Sequence, residues 1–291
     1  MLKLDKVCKD YGNGKGVQNL SFQIGEGKIC RVLGSNGCGK TTTFRLLLGL
    51  LIEDSGEIYY NKQKLNREDH CLFGYVPEER SMLRSLSVKE QIFYLGRLKK
   101  MEDAEIEKSF EFWLKYLKIE MYRDSKIIEL SKGNQQKVQM ICALIHDPKI
   151  VIFDEPLNGL DINNVDLFKK ILTYLKSNKK TILISSHQYH NIEHFCDQVV
   201  YLKEGKILFK GDIAKLKMKK QTRILSIHTK KDLFKKEKGI LSSLRENEYQ
   251  IVEVENKEVA HHLVASLVDM QIDDFKMELV SLQDIIREKS S

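Results

Sequence analysis

The sequence predicts an α/β fold, in which a mixed and largely parallel sheet forms the core of a first domain and a small α/β domain follows. Short apolar segments alternate with segments of helical periodicity, the pattern of a sheet covered by helices on both faces. A glycine-rich loop joins one of these apolar segments to a helical one. The last 80 residues contain only Gly239, and 291 residues suffice for two domains of moderate size.

The first part of the chain is predicted to consist mainly of strands. The segments that contain Val7 and Val17 alternate apolar and polar side chains, and the glycines between them indicate a turn. One helix is expected directly after the glycine-rich loop. The predicted strands are 2–7, 17–24, 28–33, 57–60 and 73–76, and the predicted helix is 41–51.

Residues 87–146 are predicted to be mainly helical, because apolar side chains such as Val88, Ile92 and Leu95 recur at helical spacing. A continuous apolar strand follows, and then helix and strand alternate once more. These later elements are a strand at 149–153, a helix at 165–175, a strand at 181–185 and a hairpin of strands 199–202 and 206–209.

The pattern changes near residue 215, where the lysine-rich segment 215–220 is the expected connection between two domains. We therefore predict a first domain at 1–215 and an accessory α/β domain at 216–291. Its predicted strands are 224–228, 249–254 and 275–280, and its predicted helices are 233–245, 259–270 and 282–289.

The composition is that of a globular protein in a reducing compartment. Hydrophobic residues make up 42% and charged residues 31% of the chain, which argues against disorder. The six cysteines form no CxxC pair, so we expect no zinc framework, no disulfides and a cytoplasmic location. No segment reaches the roughly 18 apolar residues of a membrane span. The first residues lack an apolar signal region, so we expect no secretory signal.

The net charge of +7 is unevenly distributed. Residues 215–238 contain ten Lys or Arg against Asp232 and Glu237, whereas residues 239–291 contain five against eleven Asp or Glu. A basic stretch beside an acidic tail favours a solvated surface over nucleic-acid binding, so no specific nucleic-acid partner is expected. Contact with anionic lipid is a third interpretation.

The segment 34–41, GSNGCGKT, matches the phosphate-binding motif GxxxxGK[ST] between a predicted strand and a predicted helix. Glycines allow the backbone N–H groups to approach phosphate closely, and the helix N-terminus favours the anion. Lys40 is expected to reach the β- and γ-phosphates, and the Thr41 hydroxyl to ligate Mg²⁺. The nucleotide-binding candidates are Ser35, Asn36, Gly37, Cys38, Gly39, Lys40, Thr41 and Thr42.

A second motif is the apolar strand that ends in Asp154 and Glu155. Ligands bind at the carboxyl edge of parallel sheets, so both carboxylates are placed for chemistry. Asp154 is expected to hold Mg²⁺, directly or through water. Glu155 is the natural base to polarise an attacking water.

Residues 130–137, LSKGNQQK, resemble the LSGGQ signature of the ATP-binding cassette (ABC) family. Further motifs of that family follow the same order along residues 11 to 187. They are an aromatic residue at Tyr11, the loop GYVPE at 74–78, the D-loop NGLD at 158–161 and the switch motif SSH at 185–187.

The resemblance implies a P-loop ABC ATPase domain with a helical subdomain at about 87–146. It implies hydrolysis of ATP with Mg²⁺, with Tyr11 stacked on adenine and His187 at the γ-phosphate. It also implies that two ATPase subunits, in a homo- or heterodimer, pair head to tail. Ser131, Gly133, Asn134 and Asp161 would then serve the shared nucleotide sites. Lys40, Glu155 and His187 would form the catalytic set.

The sequence departs from the family pattern at three positions. Glu78 stands where glutamine is usual, which adds a third candidate Mg²⁺ ligand to Thr41 and Asp154. Lys132 and Asn134 replace Gly and Gln in the signature. The forms VPEER, LSKGNQQKV and SSHQ resemble the bacterial exporter branch that includes sodium, drug and peptide efflux ATPases.

The resemblance therefore implies an exporter ATPase that works with a separately encoded membrane permease, on the inner face of the membrane. Helical residues between the ATP motifs meet the membrane subunit in this family. The candidates for that contact are Glu78, Arg80, Met82 and Leu83. One alternative is a soluble ABC ATPase that acts on ribosomes or nucleic acid. Another is a non-hydrolysing regulatory subunit, against which Glu155 and His187 argue.

Two further interpretations carry less weight. A metal site is conceivable where histidines and a cysteine lie close in sequence, at His187, His190, His194 and Cys196. An aromatic group in the helical region favours core or partner surface over a cofactor site, and consists of Phe110, Phe112, Trp113 and Tyr116.

Overall fold

A computed structural model describes residues 1–12, 14–79, 82–158, 162–186, 193–235 and 237–290. The chain divides into two compact units, Met1–Gly211 and Asp212–Ser291. The boundary predicted near residue 215 lies four residues beyond this division. Within the described residues, no helix is both long and apolar enough to cross a membrane.

The first unit contains an antiparallel sheet, a central sheet and a group of helices. Its elements are β1 (Leu2–Gly12), β2 (Lys15–Ile24), β3 (Ile29–Leu33), α1 (Lys40–Leu47), β4 (Ser55–Tyr60), β5 (Gln63–Lys64), β6 (Phe73–Val76), α2 (Val88–Leu98), α3 (Asp103–Leu117), α4 (Lys132–Leu144), β7 (Ile150–Phe153), α5 (Ile162–Ser177), β8 (Thr181–Ser186), β9 (Gln198–Lys203) and β10 (Lys206–Asp212).

The central sheet has the strand order β10-β9-β3-β8-β7-β6. The pairs β3/β8, β3/β9, β7/β8 and β6/β7 are parallel, which confirms the predicted largely parallel core. Because β8 lies between β3 and β7, the loops after these three strands leave the same edge side by side. The glycine-rich loop, the acidic pair and Ser185 are thereby brought together.

The other sheet has the order β2-β1-β4-β5, and its apolar side chains join those of α1 and the central sheet in one core. Helix α1 ends at Leu47, four residues before the predicted end. Gly49 adopts a left-handed φ of 68°, and its N–H donates to the carbonyl of Leu46. A glycine in this conformation is a common helix stop, so the apolar run beyond Leu47 is not helical.

His146, two residues beyond α4, provides a test of the packing between α4 and β6. Its Nε2 lies 3.0 Å from the carbonyl oxygen of Phe73. Burial, with a smaller contribution from the Lys99 charge, lowers the pKa of His146 to about 4. In the unfolded chain His146 is protonated below about pH 6.5, whereas in the folded chain it is protonated only below about pH 4. Between these values the unfolded state binds more protons, so the free energy of unfolding falls as the pH is lowered.

We expect this one group to remove about 3 kcal/mol of unfolding free energy between pH 7 and pH 4. Urea unfolding of the wild type and of His146→Gln across that range measures the effect, because glutamine keeps an N–H donor for Phe73 but does not titrate. The variant should become the more stable protein, relative to wild type, as the pH falls. Parallel stability curves would contradict the assignment.

The second unit is an antiparallel sheet with helices, in the strand order β12-β13-β11-β14. Its core lies between the sheet and α7 and includes Leu225, Val252 and Leu263. The elements are α6 (Ile213–Lys219), β11 (Arg223–His228), β12 (Ile240–Glu246), β13 (Tyr249–Val254), α7 (Lys257–Asp269), β14 (Phe275–Leu279) and α8 (Leu282–Ser290).

The helix predicted at 233–245 is wrong, because this segment contains strand β12 in a hairpin with β13. Gly239 starts the strand at a left-handed φ of 91°, where a Cβ atom would lie 2.6 Å from Val259 Cγ2. The buried side chain of Gln250 donates to the carbonyl of Phe234, which holds the preceding segment in a loop. Cross-strand pairing thus overrides the local helical pattern.

Candidate functional site

The glycine-rich loop connects β3 to α1, as the motif predicts. Gly34 has a φ of 152°, and a Cβ atom there would lie 2.3 Å from Cys38 Sγ and 2.4 Å from the carbonyl oxygen of Leu202. Gly39, directly before α1, has a φ of 106°, and a Cβ atom added at this position would lie 2.6 Å from Val17 Cγ1. Both positions require glycine, so the loop curls tightly around the N-terminus of α1.

Lys40 is buried within this loop, with 7% of its side chain exposed. Its Nζ donates to the carbonyl oxygens of Gly34 at 2.7 Å and Ser35 at 3.2 Å. The same Nζ lies 3.8 Å from Oε1 of Glu155. A buried ammonium in a ring of backbone groups is suited to an anionic ligand, since phosphate oxygens bind it more strongly than neutral carbonyls.

Asp154 follows β7 and is held by two hydroxyl groups. Ser185 Oγ donates to its Oδ1 at 2.6 Å, and the Tyr75 hydroxyl donates to its Oδ2 at 3.3 Å. Burial raises the pKa of Asp154, and the nearby carboxylates of Glu155 and Glu78 raise it further, against the effect of the two hydroxyl donors. A cation would relieve this unfavourable environment, which supports the predicted metal-binding role.

Glu155 is held in a strained backbone conformation, with a left-handed φ of 48°. Such conformations cost about 1–3 kcal/mol in a non-glycine residue and cluster at functional sites. Its N–H donates to Ser185 Oγ at 2.7 Å. Ser185 therefore fixes both acidic residues, by accepting from one and donating to the other.

Tyr75 and Ser185 contact the acidic pair, and the sequence analysis did not single them out. Both lie within motifs recognised there, the GYVPE loop and the SSH segment. The signal that could have found them is their position at the carboxyl ends of β6 and β8, the strands that flank β7.

These elements enclose a cleft of about 300 Å³. Most of the residues predicted to bind phosphate or metal line this cleft. Cys38, which belongs to the same loop, is buried and does not line it. Hydroxyl and carboxylate oxygens of this kind fit Mg²⁺, which proteins bind with one or two carboxylates together with substrate phosphates. The lining residues are Asn36, Gly37, Gly39, Lys40, Thr41, Thr42, Glu78, Asp154 and Glu155.

The signature residues Ser131, Gly133 and Asn134 lie outside this cleft. Ser131 is exposed and caps α4, where its Oγ accepts from the N–H of Asn134 at 3.3 Å. A Cβ atom on Gly133 would lie 2.8 Å from Nδ2 of Asn164 on α5. Neither Ser131, Gly133 nor Asn134 lines the cleft formed by the described residues.

Tyr11 is half exposed near the end of the β1–β2 hairpin. This hairpin and the β9–β10 turn both border the phosphate loop, since the Gly205 N–H donates to the Cys38 carbonyl at 3.1 Å and the Gln18 N–H to the Gly205 carbonyl at 2.8 Å. Asp161 and His187 lie outside the described residues, as does Arg80.

The conceivable metal site and the aromatic group were the two further interpretations of the sequence. Among the described residues, no cluster of His, Cys, Asp and Glu could hold a metal by itself, and both His187 and His190 fall outside them. In the helical region, Phe110 is buried in the core. The rings of Phe112, Trp113, Tyr116 and Tyr174 contact one another at centroid distances of 5.1 to 5.7 Å between α3 and α5.

Comparison with known proteins places this site in a family. The model of the ABC transporter family matches residues 17–158. An ABC transporter ATP-binding protein of Bacillus subtilis, YhaQ, is 37% identical over 99% of this chain and 98% of its own length. The chain belongs to the ABC transporter ATP-binding proteins. It is an ATP-binding subunit and an ATPase of this family, as the signature predicted.

Two other proteins extend the comparison. The Nod factor export ATP-binding protein I of Paraburkholderia xenovorans is 32% identical over 72% of this chain and 70% of its own length. The fold matches the ATP-binding cassette MJ0796, whose structure is a dimer in a post-hydrolysis state bound to ADP and Pi. That match has a TM-score of 0.66 and 26% identity, over 73% of this chain and 98% of that one. The ABC ATPase fold predicted for the first domain is thereby confirmed.

Proposed function

We propose that this ABC ATPase powers export through a separately encoded membrane permease, by ATP-driven head-to-tail pairing with a second ATPase subunit. The observation that carries this proposal is the separation of Ser131 from the nucleotide cleft of its own chain. An exposed signature at the N-terminus of a 13-residue helix is suited to bind phosphate, yet it lines no phosphate site here. A second subunit would complete both sites.

Within the cleft, the loop N–H groups and Lys40 bind and orient the phosphates of ATP. Thr41, Asp154 and Glu78 would hold Mg²⁺, which neutralises developing charge on the transferred phosphoryl group. Glu155, whose Oε1 lies 3.8 Å from the Lys40 ammonium, then accepts the proton of the attacking water. We assign His187 to the γ-phosphate and Tyr11 to the adenine.

The signature residues of this chain would contact the nucleotide that is bound in the cleft of the partner subunit. Ser131 offers a hydroxyl and Gly133 an N–H group in the first turn of α4, where the helix dipole favours an anion, and the Asn134 side chain is assigned to the same contact. Asp161 is assigned to the same interface. ATP would stabilise the closed pair because only that state provides both sets of contacts, and hydrolysis would remove the advantage.

The export direction and the membrane partner are supported by the likeness to a relative named for Nod factor export. We therefore assign the chain to the inner face of the membrane. On the helical side of the first unit, Leu83 is 52% exposed beside Met82, before α2. An exposed apolar side chain is suited to contact a permease, because a partner would remove its apolar surface from water.

A single substitution tests the permease contact. Leu83→Asp should abolish co-purification of the chain with an integral membrane protein from detergent extracts, and leave the ATPase rate of the isolated chain unchanged. Leu208→Asp is the matched control, because Leu208 is 42% exposed on β10, outside the helical region of the same unit. Co-purification with ribosomes in place of a membrane protein would support the alternative, a soluble ABC ATPase acting on ribosomes or nucleic acid.

A further inference from the structure

Helix α4, which begins at the signature, contains two buried glutamines one turn apart. Gln136 is 8% exposed and Gln139 is 5% exposed. Residues three apart lie on the same face of a helix, so both amides point to the same side. Glutamine is seldom buried to this extent, and it then needs hydrogen-bond partners.

The partners of both side chains are backbone carbonyls of the loops after β6 and β7. Gln136 Nε2 donates to the carbonyl of Pro156 at 2.6 Å. Gln139 Nε2 donates to the carbonyls of Pro77 at 3.2 Å and Glu79 at 3.0 Å. Pro156 directly follows Glu155, and the other two residues flank Glu78. One helix face therefore holds both loops that carry cleft carboxylates.

The two loops are also joined to each other. Asn158 Nδ2 donates to Oε1 of Glu78 at 3.1 Å, and the Asn158 N–H donates to the carbonyl of Glu155 at 3.2 Å. A displacement of either loop is thus resisted by the other and by α4.

The amide oxygen of Gln136 faces the interior of the protein. This Oε1 is buried and has no hydrogen-bond donor among the described residues. A buried acceptor left without a donor costs about 1–3 kcal/mol. The hydrogen bond from Nε2 to the Pro156 carbonyl therefore has an important part in keeping the side chain in this position.

We propose that Gln136 and Gln139 are positioning residues that couple the signature to the catalytic carboxylates of the same chain. When Ser131 binds the nucleotide of the partner, α4 transmits its displacement through the two amides to Glu155 and Glu78. Each subunit then aligns its own base only when its signature is engaged, which makes hydrolysis at the two sites interdependent. The inference rests on the proposed head-to-tail pairing.

The first arm of the test is kinetic and uses Gln136→Met, which keeps the volume and removes the donor. We expect kcat to fall at least about tenfold while KM for ATP stays within about twofold, because misalignment far from the nucleotide contacts affects chemistry more than binding. Gln250→Met is the matched control. Gln250 is also buried, and its Nε2 likewise donates to a backbone carbonyl, that of Phe234 in the second unit.

The second arm separates coupling from simple support of the fold. In a Glu155→Gln background, Gln136→Met should still form an ATP-dependent dimer with an unchanged thermal midpoint. A kcat within twofold of wild type would overturn the proposal, as would loss of the dimer in step with kcat. Gln139→Met repeats both arms if the first variant does not fold. The Glu155→Gln variant alone reports on pairing itself, so failure of the proposed function is recognised separately.

Discussion

Replacing Glu155 with glutamine is expected to reduce steady-state ATP hydrolysis by a factor of about 10³ and to leave ATP binding intact. The carboxylate is buried at the carboxyl end of β7, with 7% of its side chain exposed, and lines the cleft beside Thr41 and Lys40. Glutamine has the same shape but cannot accept the proton of water. The strained backbone at this position, held by Ser185, is unaffected by the change.

Phosphate release at saturating ATP measures this effect, and fluorescent-nucleotide titration measures binding. Glu120→Gln, at an exposed position beyond α3, is the control and should hydrolyse ATP at the wild-type rate. Hydrolysis by Glu155→Gln at the wild-type rate would remove Glu155 as the general base.

Replacing Lys40 with alanine is expected to weaken ATP binding by at least about 100-fold, the loss of two to three kcal/mol from a charge-assisted phosphate contact. The Lys40 ammonium lies inside the loop, 2.7 Å from the carbonyl oxygen of Gly34. The substitution removes from the cleft a cation that lies 3.8 Å from Oε1 of Glu155. The side chains of Glu78, Asp154 and Glu155 then dominate the electrostatic field in the cleft, and their negative charge repels phosphate.

Isothermal titration with ATP and Mg²⁺ measures the change. Lys108→Ala, which removes an exposed lysine on α3, serves as a control for the loss of one positive charge. Tight ATP binding by Lys40→Ala would contradict the assignment of the phosphate loop.

The sequence predicted the phosphate loop and the acidic pair because their chemistry is local. Gly34 and Gly39 adopt backbone conformations that other residues avoid, and Asp154 and Glu155 directly follow an apolar strand. The parallel core was equally predictable, since strands such as β7 and β8 are buried on both faces and contain continuous apolar runs.

The remaining features depend on contacts between distant residues. Tyr75 and Ser185 reach Asp154 from neighbouring strands, so no spacing in the sequence indicates them. Gln136 contacts Pro156 across 20 positions, a separation at which no local sequence pattern indicates a contact. The hairpin β12–β13 was missed because Leu233 to Arg245 also fits a helical period, and only pairing with β13 favours the strand.

The molar mass of Glu155→Gln in solution, with and without ATP, tests the central claim most directly. This variant should retain the bound nucleotide and therefore accumulate the closed pair. We predict a monomer without nucleotide and a dimer with ATP, and we predict that adding Ser131→Arg to the same background prevents the dimer, because a bulky side chain then replaces the exposed hydroxyl that caps α4. A monomer at saturating ATP, or an ATP-dependent dimer that forms equally well with Ser131→Arg, would contradict head-to-tail pairing through the signature.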